Sequence, residues 1–428
     1  MATIISEDVG NKTAFSGGTI AIDATGFIVT LSGATYDANW GLADSYDLDT
    51  GGTPETRLVA SRDSDTQLTL QIASTKTSQS GLSHQIQRAF ATVSSAEAAT
   101  DNDLVAADEQ RDLLLSADTT YPLATTVNID GATTDATRFR RFRGHPRDTN
   151  LAGQPGDFVL MTNANFGFFS NGSEGFIDIS YLEMSNWGKD GSAGQTHSCV
   201  EGGSATSPDC DSHHLIMHDP SATSVSSIEA IGHRVLNMKR WKVHHNLVYK
   251  IEKASHNSSA GISGNDTNKI YNNIVFDAGR GIRSGTDPDK VSAWNNISVG
   301  NSINDYEGAE FDQDDCFNNI DSDGTAPGKP NLTTVQTLDG TLFNNTGDGV
   351  EDFRLPVGSD ARNRGVGPGL DSRVISPDLA NNTISGNVID IGCYQASDLG
   401  KVVSIGADEF LTTAIPVFMY NYRKRRVI

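Results

Sequence analysis

The chain has 428 residues and carries 54 acidic against 32 basic side chains, a net charge of −22; it is therefore no general binder of nucleic acid or anionic membranes unless a local basic patch reverses that balance. Forty-two glycines, thirty asparagines and only 20% charged residues describe short strands and turns, which excludes coiled coils and helical bundles. No stretch reaches the ~18 apolar residues of a membrane-crossing helix, so no membrane insertion is expected.

Taken in chain order, Met1–Gly10 (MATIISEDVG) has neither a basic n-region nor an apolar h-region, and a secretory signal is not expected there. Residues 1–88 hold β-rich runs such as Gly26–Leu31 and Thr66–Ile72 punctuated by Gly and Asp, which predicts a small β-barrel or sandwich module for attachment or assembly. Residues 89–103 turn to Ala, Glu and Asp, with Ser94 or Ser95 as the cap of a short helix that could cover the open end of the next segment. Arg111–Ser116 (RDLLLS) then reads as a strand.

The segment 104–396 carries a repeat. Fourteen of the thirty asparagines fall in residues 257–345, and Asn246, Asn273, Asn296 and Asn319 align at intervals of 27, 23 and 23 in the texts HHNLV, YNNIV, WNNIS and FNNID. The next column reads Leu247, Ile274, Ile297, Ile320; two before the anchor stand His244, Tyr271, Trp294 and Phe317. His214–Leu215 and Tyr181–Leu182 continue the pattern backwards more loosely. One aliphatic residue and one Asn per ~23 residues fit the rung of a parallel β-solenoid; a leucine-rich repeat would need L-x-x-L-x-L, which is absent. Stacked at ~4.8 Å, the Asn column predicts a ladder, because each amide has a donor and an acceptor and Asn tolerates left-handed backbone. The Leu/Ile column is expected to point inward. Residues 397–428, with the apolar run Phe410–Tyr420 before Arg423, Lys424, Arg425 and Arg426, are expected to cap the solenoid or contact a neighbour.

Several stretches resemble right-handed parallel β-helix proteins of the pectin-lyase-like superfamily, particularly those of bacteriophage structural modules and bacterial choice-of-anchor proteins. Ala89–Asp118 and Val127–Gly144 look like the opening segment of such phage proteins, and Asp352–Val366 with Val388–Gln395 (VIDIGCYQ) is similar to their closing segment. The resemblance implies an all-β protein, a right-handed parallel β-helix behind the N-terminal module, and three functions: a virion structural protein of tail-spike, fibre or decoration type, a tailspike polysaccharide depolymerase (hydrolase or lyase), or a surface adhesin. The first is the leading expectation. It carries a homotrimer, other virion proteins and host surface polysaccharide as expected partners, with assembly in the host cytoplasm and release by lysis.

Candidate chemistry is acidic. Asp266, Asp289 and Asp312 lie seven residues before successive anchors, and stacking would bring carboxylates to ~5 Å, near the spacing of a retaining glycosidase pair; turn aspartates are the competing reading. Asp312, Asp314 and Asp315 are the densest acidic group and the catalytic candidates. Tyr271 and Trp294 are candidates for stacking on sugar if their faces reach solvent; sheet-stabilising stacks are the alternative. His197, Cys199, Cys210, His213, His214 and His218 hold zinc-ligand types without the spacing of a compact finger. All four cysteines are expected reduced, and no metal or cofactor is expected, Ca²⁺ being the exception that a pectate-lyase reading, with Arg280 or Arg283 beside an acidic cluster, would carry.

Overall fold

The computed structural model describes residues 2–394 apart from 124, 150–153, 163, 189–195, 204–208, 222–228, 236–238, 252–258, 286–289, 329–340, 348 and 367–387. Residues 1–396 form one compact unit. The 397–428 tail, for which a capping or contact role was expected, lies outside the described residues.

Nearly all regular structure is β. Parallel strands one coil apart build two long sheets. One runs from Thr3–Val9 through Glu109–Leu115, Arg140–Gly144, Ile177–Ser185 and Asp211–His218, after which each coil contributes a pair of short strands: Lys242–His244 with Leu247–Tyr249, Lys269–Tyr271 with Ile274–Phe276, and Ser292–Trp294 with Ile297–Val299. The other stacks Val127–Ile129, Phe169–Asn171, Thr196–Gly202, Glu229–Val235, Ala260–Gly264, Arg280–Ser284 and Asn304–Glu307. This is the strand pairing a parallel β-helix requires. Its inner cluster joins Val243, Ile270 and Ala293, Val248 and Val275, and Ile262 and Ile282, one set from each face of the coil.

On six successive coils a single left-handed residue bends the wall at this position. Tyr181, His214, His245, Asn272, Asn295 and Asn318 have φ of +56°, +54°, +53°, +53°, +54° and +52°. Asn is favoured there because its short polar side chain tolerates that backbone. The following residue closes the ladder: Asn246 Nδ2 donates to Asn273 Oδ1 at 3.1 Å, Asn273 Nδ2 to Asn296 Oδ1 at 3.0 Å, and Asn296 Nδ2 to Asn319 Oδ1 at 3.1 Å. Each of these oxygens also accepts the backbone N–H of the preceding ladder residue, while each Nδ2 reaches a backbone carbonyl. Four fully buried amides are thereby satisfied.

The Leu/Ile column faces the other way from the expectation. Leu247 pairs with Ile274 and Ile274 with Ile297, and Ile297 bridges to Ile320, so the register is as the repeats align. Strand alternation, however, sends Val248 and Val275 into the coil and Leu247, Ile274, Ile297 and Ile320 to its outer wall. There they are buried under Leu342, Phe343, Phe353, Leu355, Ala361, Ile391, Cys393 and Tyr394. The closing segment is thus an outer cover. Its D-I-G-x-Y element, Asp390–Tyr394, is pinned by Gly392, whose N–H donates to the carbonyl of Asn295 at 2.8 Å; at φ +96° a Cβ there would meet Ile297 Cδ1 at 2.8 Å. An ion pair of Lys250 with Glu351 ties the same cover to the wall.

A cut at residue 88 does not separate the sheets. Thr3–Val9 pairs in register with Glu109–Leu115 and so belongs to the long parallel sheet. The antiparallel sheet begins afterwards, in the order Ser80–Leu82, Thr19–Ile22, Ile28–Ser32, Gln67–Leu70, Glu55–Arg62, Ser45–Leu48, His84–Gln87. Its two edge strands are separated by Ser83 alone, which curls it around Ile20, Val29, Tyr46, Val59, Leu68 and Ile86. Buried charge joins the two parts: Arg88 bonds Asp8 at 3.0 Å, Asp44 at 2.7 Å and Asp118 at 2.7 Å, and Arg147 bonds Asp8 at 2.7 Å. The short helix is Val93–Ala99, capped by Thr92 rather than Ser94 or Ser95. Arg140, fully buried, holds it by Glu97, Asp101 and Glu174.

Replacing Asn296 by Ala should strand the backbone N–H of Asn273 inside the wall and break the amide chain between Asn273 and Asn319, at a cost of about 3 kcal/mol in chemical denaturation. Asn344→Ala, at an exposed asparagine, should stay within about 0.5 kcal/mol. Equal effects of the two would contradict a ladder that bears stability.

Candidate functional site

The outward-facing residues of the first long sheet run in columns. One column reads Asp112, Arg141, Asp178, Asp211, Lys242, Lys269, Ser292 by register. Two residues along, the next reads Ser180, His213, His244, Tyr271, Trp294. A cleft of about 320 Å³ opens where Asp178, Asp211 and Lys242 meet Asp209, Phe139 and Phe176. Asp178 and Asp211 stand on adjacent strands, hence ~4.8 Å apart at the backbone.

Behind each carboxylate lies a pair of imidazoles. His213 Nε2 is 3.3 Å from Asp178 Oδ2 and its Nδ1 is 2.6 Å from Nδ1 of His214. One coil on, His244 Nε2 is 2.8 Å from Asp211 Oδ1 and its Nδ1 is 2.8 Å from Nδ1 of His245. The rings of His213 and His244 stack at 5.0 Å and 9°. The two sets nonetheless hold different charge. Burial lowers the pKa of His213, but the charge and hydrogen bond of Asp178 outweigh it and the net shift is upward. Asp178 is held well below the usual carboxylate range despite its burial, chiefly by His213, with Ser180 and Arg141 adding to it. Burial wins at His244 and His245, which are both shifted down and neutral. Asn272 Nδ2 donates to His245 Nε2 at 3.0 Å, so His245 donates through Nδ1 to His244, leaving the Nε2–H of His244 toward Asp211. Two cations cannot share a buried stack at this separation without strong repulsion, and the proton sits beside Asp178.

The residues singled out in the sequence fall elsewhere. Asp312, Asp314 and Asp315 form the turn after Phe311: Asp312 Oδ1 accepts from the N–H of Asp314 at 3.2 Å, and Asp315 Oδ2 accepts from Ser292 Oγ at 2.7 Å. That bond sets Asp315 beside Ser292, three coils beyond Asp211, or ~14 Å before Asp315 itself adds a fourth; the acidic turn and the cleft are separate. Asp266 is buried at φ +50° in its own turn, and Asp289 lies outside the described residues. Tyr271 and Trp294 stack on each other at 4.7 Å and 3° but are 1% and 0% exposed. They stabilise the wall and offer no face to a sugar, which corrects the stacking expectation. Arg280 pairs with Glu307 on the second long sheet.

The zinc-type residues are likewise dispersed. His213 faces Asp178, and His218 sits between Glu183 at 2.9 Å and Asp219 at 2.8 Å. Burial pushes the Cys199 thiol up and that of Cys210 up to about 12, which leaves neither poised as a thiolate. Among the described residues, Glu97, Asp101 and Asp130 are grouped closely enough to chelate an ion. Arg140 already supplies the positive charge there, bonding Asp101 at 2.8 Å, Glu97 at 3.2 Å and the carbonyl of Asp130 at 2.9 Å.

Asp178, Asp211 and Lys242 were not read from the sequence. The signal was available: each lies at the same offset, three residues before the left-handed bend, as in DSHH and KVHH.

The class defined here is an all-β protein with long parallel sheets and a charged cleft on the outer wall. No protein-family model matches the chain, and no curated protein matches it. Among solved structures, the Gp54 tailspike of Acinetobacter baumannii bacteriophage AP22, in complex with A. baumannii capsular saccharide, is similar at 10% identity over 77% of this chain, with a TM-score of 0.14. The chain spans 59% of that protein's length. A likeness of that size carries no weight for fold or function.

His218 gives the wall a measurable pH signature. Burial lowers its pKa, but the hydrogen bonds and charges of Asp219 and Glu183 raise it from 6.5 to about 9. A raised folded value means its stabilisation is complete below 6.5 and is lost as pH rises through about 9. The stability gap between wild type and His218→Gln should therefore be widest at pH 6 and shrink toward pH 9 to 10. A gap independent of pH would exclude the two-carboxylate setting.

Proposed function

We propose that this chain is a virion structural protein of a bacteriophage, with a right-handed parallel β-helical shaft of the pectin-lyase-like kind, that touches host surface polysaccharide through the outer-wall cleft. The observation that carries the reading is the parallel pairing of successive coils in two long sheets, locked at Asn246, Asn273, Asn296 and Asn319 by the ladder and covered there by Leu342, Phe343, Phe353, Ile391 and Tyr394. Such a wall is a stiff platform whose outward columns can be varied without disturbing the core. The phage assignment rests on the likeness of Ala89–Asp118 and Asp352–Val366 to the opening and closing segments of phage β-helix proteins. Homotrimer formation and docking on other virion proteins belong to the same proposal, as does a location in the particle; calcium and nucleic acid have no part in it.

Hydroxyl-rich ligands suit the cleft because carboxylates, an ammonium and the edges of Phe139 and Phe176 converge there. A depolymerase is the second reading, favoured by Asp178 and Asp211 on adjacent strands. His213 holds Asp178 as a carboxylate, a state that suits the nucleophile of such a pair and not its general acid. A surface adhesin is a third reading with no observation of its own.

Purified protein mixed with capsular or lipopolysaccharide glycans should bind without releasing oligosaccharide, and Asp178→Asn with Asp211→Asn should weaken binding about tenfold, the loss of one good charged contact. Release that disappears in the same double variant would establish the depolymerase instead. Light scattering should give a mass near three times the 45.6 kDa chain; a monomer at micromolar concentration would remove the trimer from the proposal.

A further inference from the structure

A second cleft, of about 290 Å³, opens on the other long sheet, on the same turns of the coil that carry the first. Its walls are Thr126, Asn128, Ser170 and Thr196, with Glu201 at one side and the half-buried ring of Phe166 at another. The ring of His197 backs Phe166 at 5.5 Å and 24°, so the aromatic wall is fixed. Gly167 lets this wall approach the neighbouring coil, since a Cβ there would lie 1.8 Å from the carbonyl of Ser198. Ser198 also lines the cleft; it is 4% exposed, and its Oγ has no hydrogen-bond partner among the described residues. A buried hydroxyl without a partner is unfavourable, and a ligand hydroxyl at the cleft would satisfy it.

The chemistry of the lining selects the ligand. Neither Lys nor Arg is among the lining residues, and the one carboxylate, Glu201, is drawn to Arg234 on the next coil at 3.6 Å. Anions therefore find no counter-charge here and cations find a carboxylate already engaged. Hydroxyls and a side-chain amide beside one aromatic face suit a ring with polar edges and an apolar C–H face. We infer that this cleft binds a neutral sugar residue, Phe166 under its apolar face and Ser198, Ser170, Thr196 and Asn128 on its hydroxyls. The wall then presents two glycan contacts of different character, one charged and one neutral, on different sheets. The source of the sugar rests on the glycan reading of the shaft; the chemistry of the cleft does not.

Saturation-transfer NMR on the full chain with millimolar galactose, N-acetylgalactosamine and glucuronate tests this. Neutral sugars should receive transfer from aromatic protons and glucuronate none. Affinity should fall about tenfold, one good contact, in Phe166→Ala and in Ser198→Val, and stay unchanged in Asn344→Ala, an exposed position outside both clefts. Thr196→Val replaces Phe166→Ala as the wall variant if the latter melts early. No transfer from folded wild type, or transfer that survives every wall variant, overturns the inference. Transfer lost only in the aspartate double variant also overturns it, while leaving the charged cleft as the glycan contact.

Discussion

An asparagine amide placed after a left-handed residue can bond up, down and sideways at once, and the long sheet depends on that arrangement. Asn246, Asn273, Asn296 and Asn319 sit buried at the bends, and the two inner ones, Asn273 and Asn296, each take a backbone N–H and an amide from one side and give an amide to the other. Three-residue strands such as Lys269–Tyr271 and Ile274–Phe276 have too few ladder bonds to hold register alone. With the bend locked, a slip of one residue would strand every amide, and inner and outer faces stay assigned on each coil.

That assignment produces two apolar layers rather than one. The inner faces fill the coil, and the outer face of Leu247, Ile274 and Ile297 would be an exposed apolar stripe without Leu342, Phe343, Phe353, Leu355, Ile391 and Tyr394 over it. Phe353 is the centre of the cover: its ring lies 5.0 Å from Tyr249, 5.8 Å from Phe276 and 5.4 Å from Phe343. The columns that line the charged cleft, with Asp178, Asp211 and Lys242, stand outside this covered cluster.

Charge placement follows from the same stacking. Identical residues on adjacent coils are brought within ~5 Å, so the two His-His pairs cannot titrate independently. Asp178 and Asp211 resolve the conflict asymmetrically, because Asn272 orders the hydrogen bonds of His245 and His244 in the neutral form. The cleft consequently carries one His-neutralised carboxylate and one facing a neutral imidazole and Lys242 at 3.8 Å.

The repeat determined much by itself. Columns at 27, 23 and 23 residues identify the coil, the ladder and the left-handed bend, since each is a property of residue type at fixed spacing. The loose matches at His214 and Tyr181 also follow from the repeat, sharing the same positive φ. Which way a column points was not legible: Leu247 and Val248 are equally apolar, and only the distant Leu342, Phe343, Phe353 and Tyr394, clustered with Leu247, decide that its face is covered. The same holds for Tyr271 and Trp294, whose exposure depends on the chain around them. The cleft was hidden for a further reason. Asp178 and Asp211 are ordinary acidic residues in sequence, separated by 33 positions, and they become a pair only when parallel pairing sets Ile177–Ser185 beside Asp211–His218.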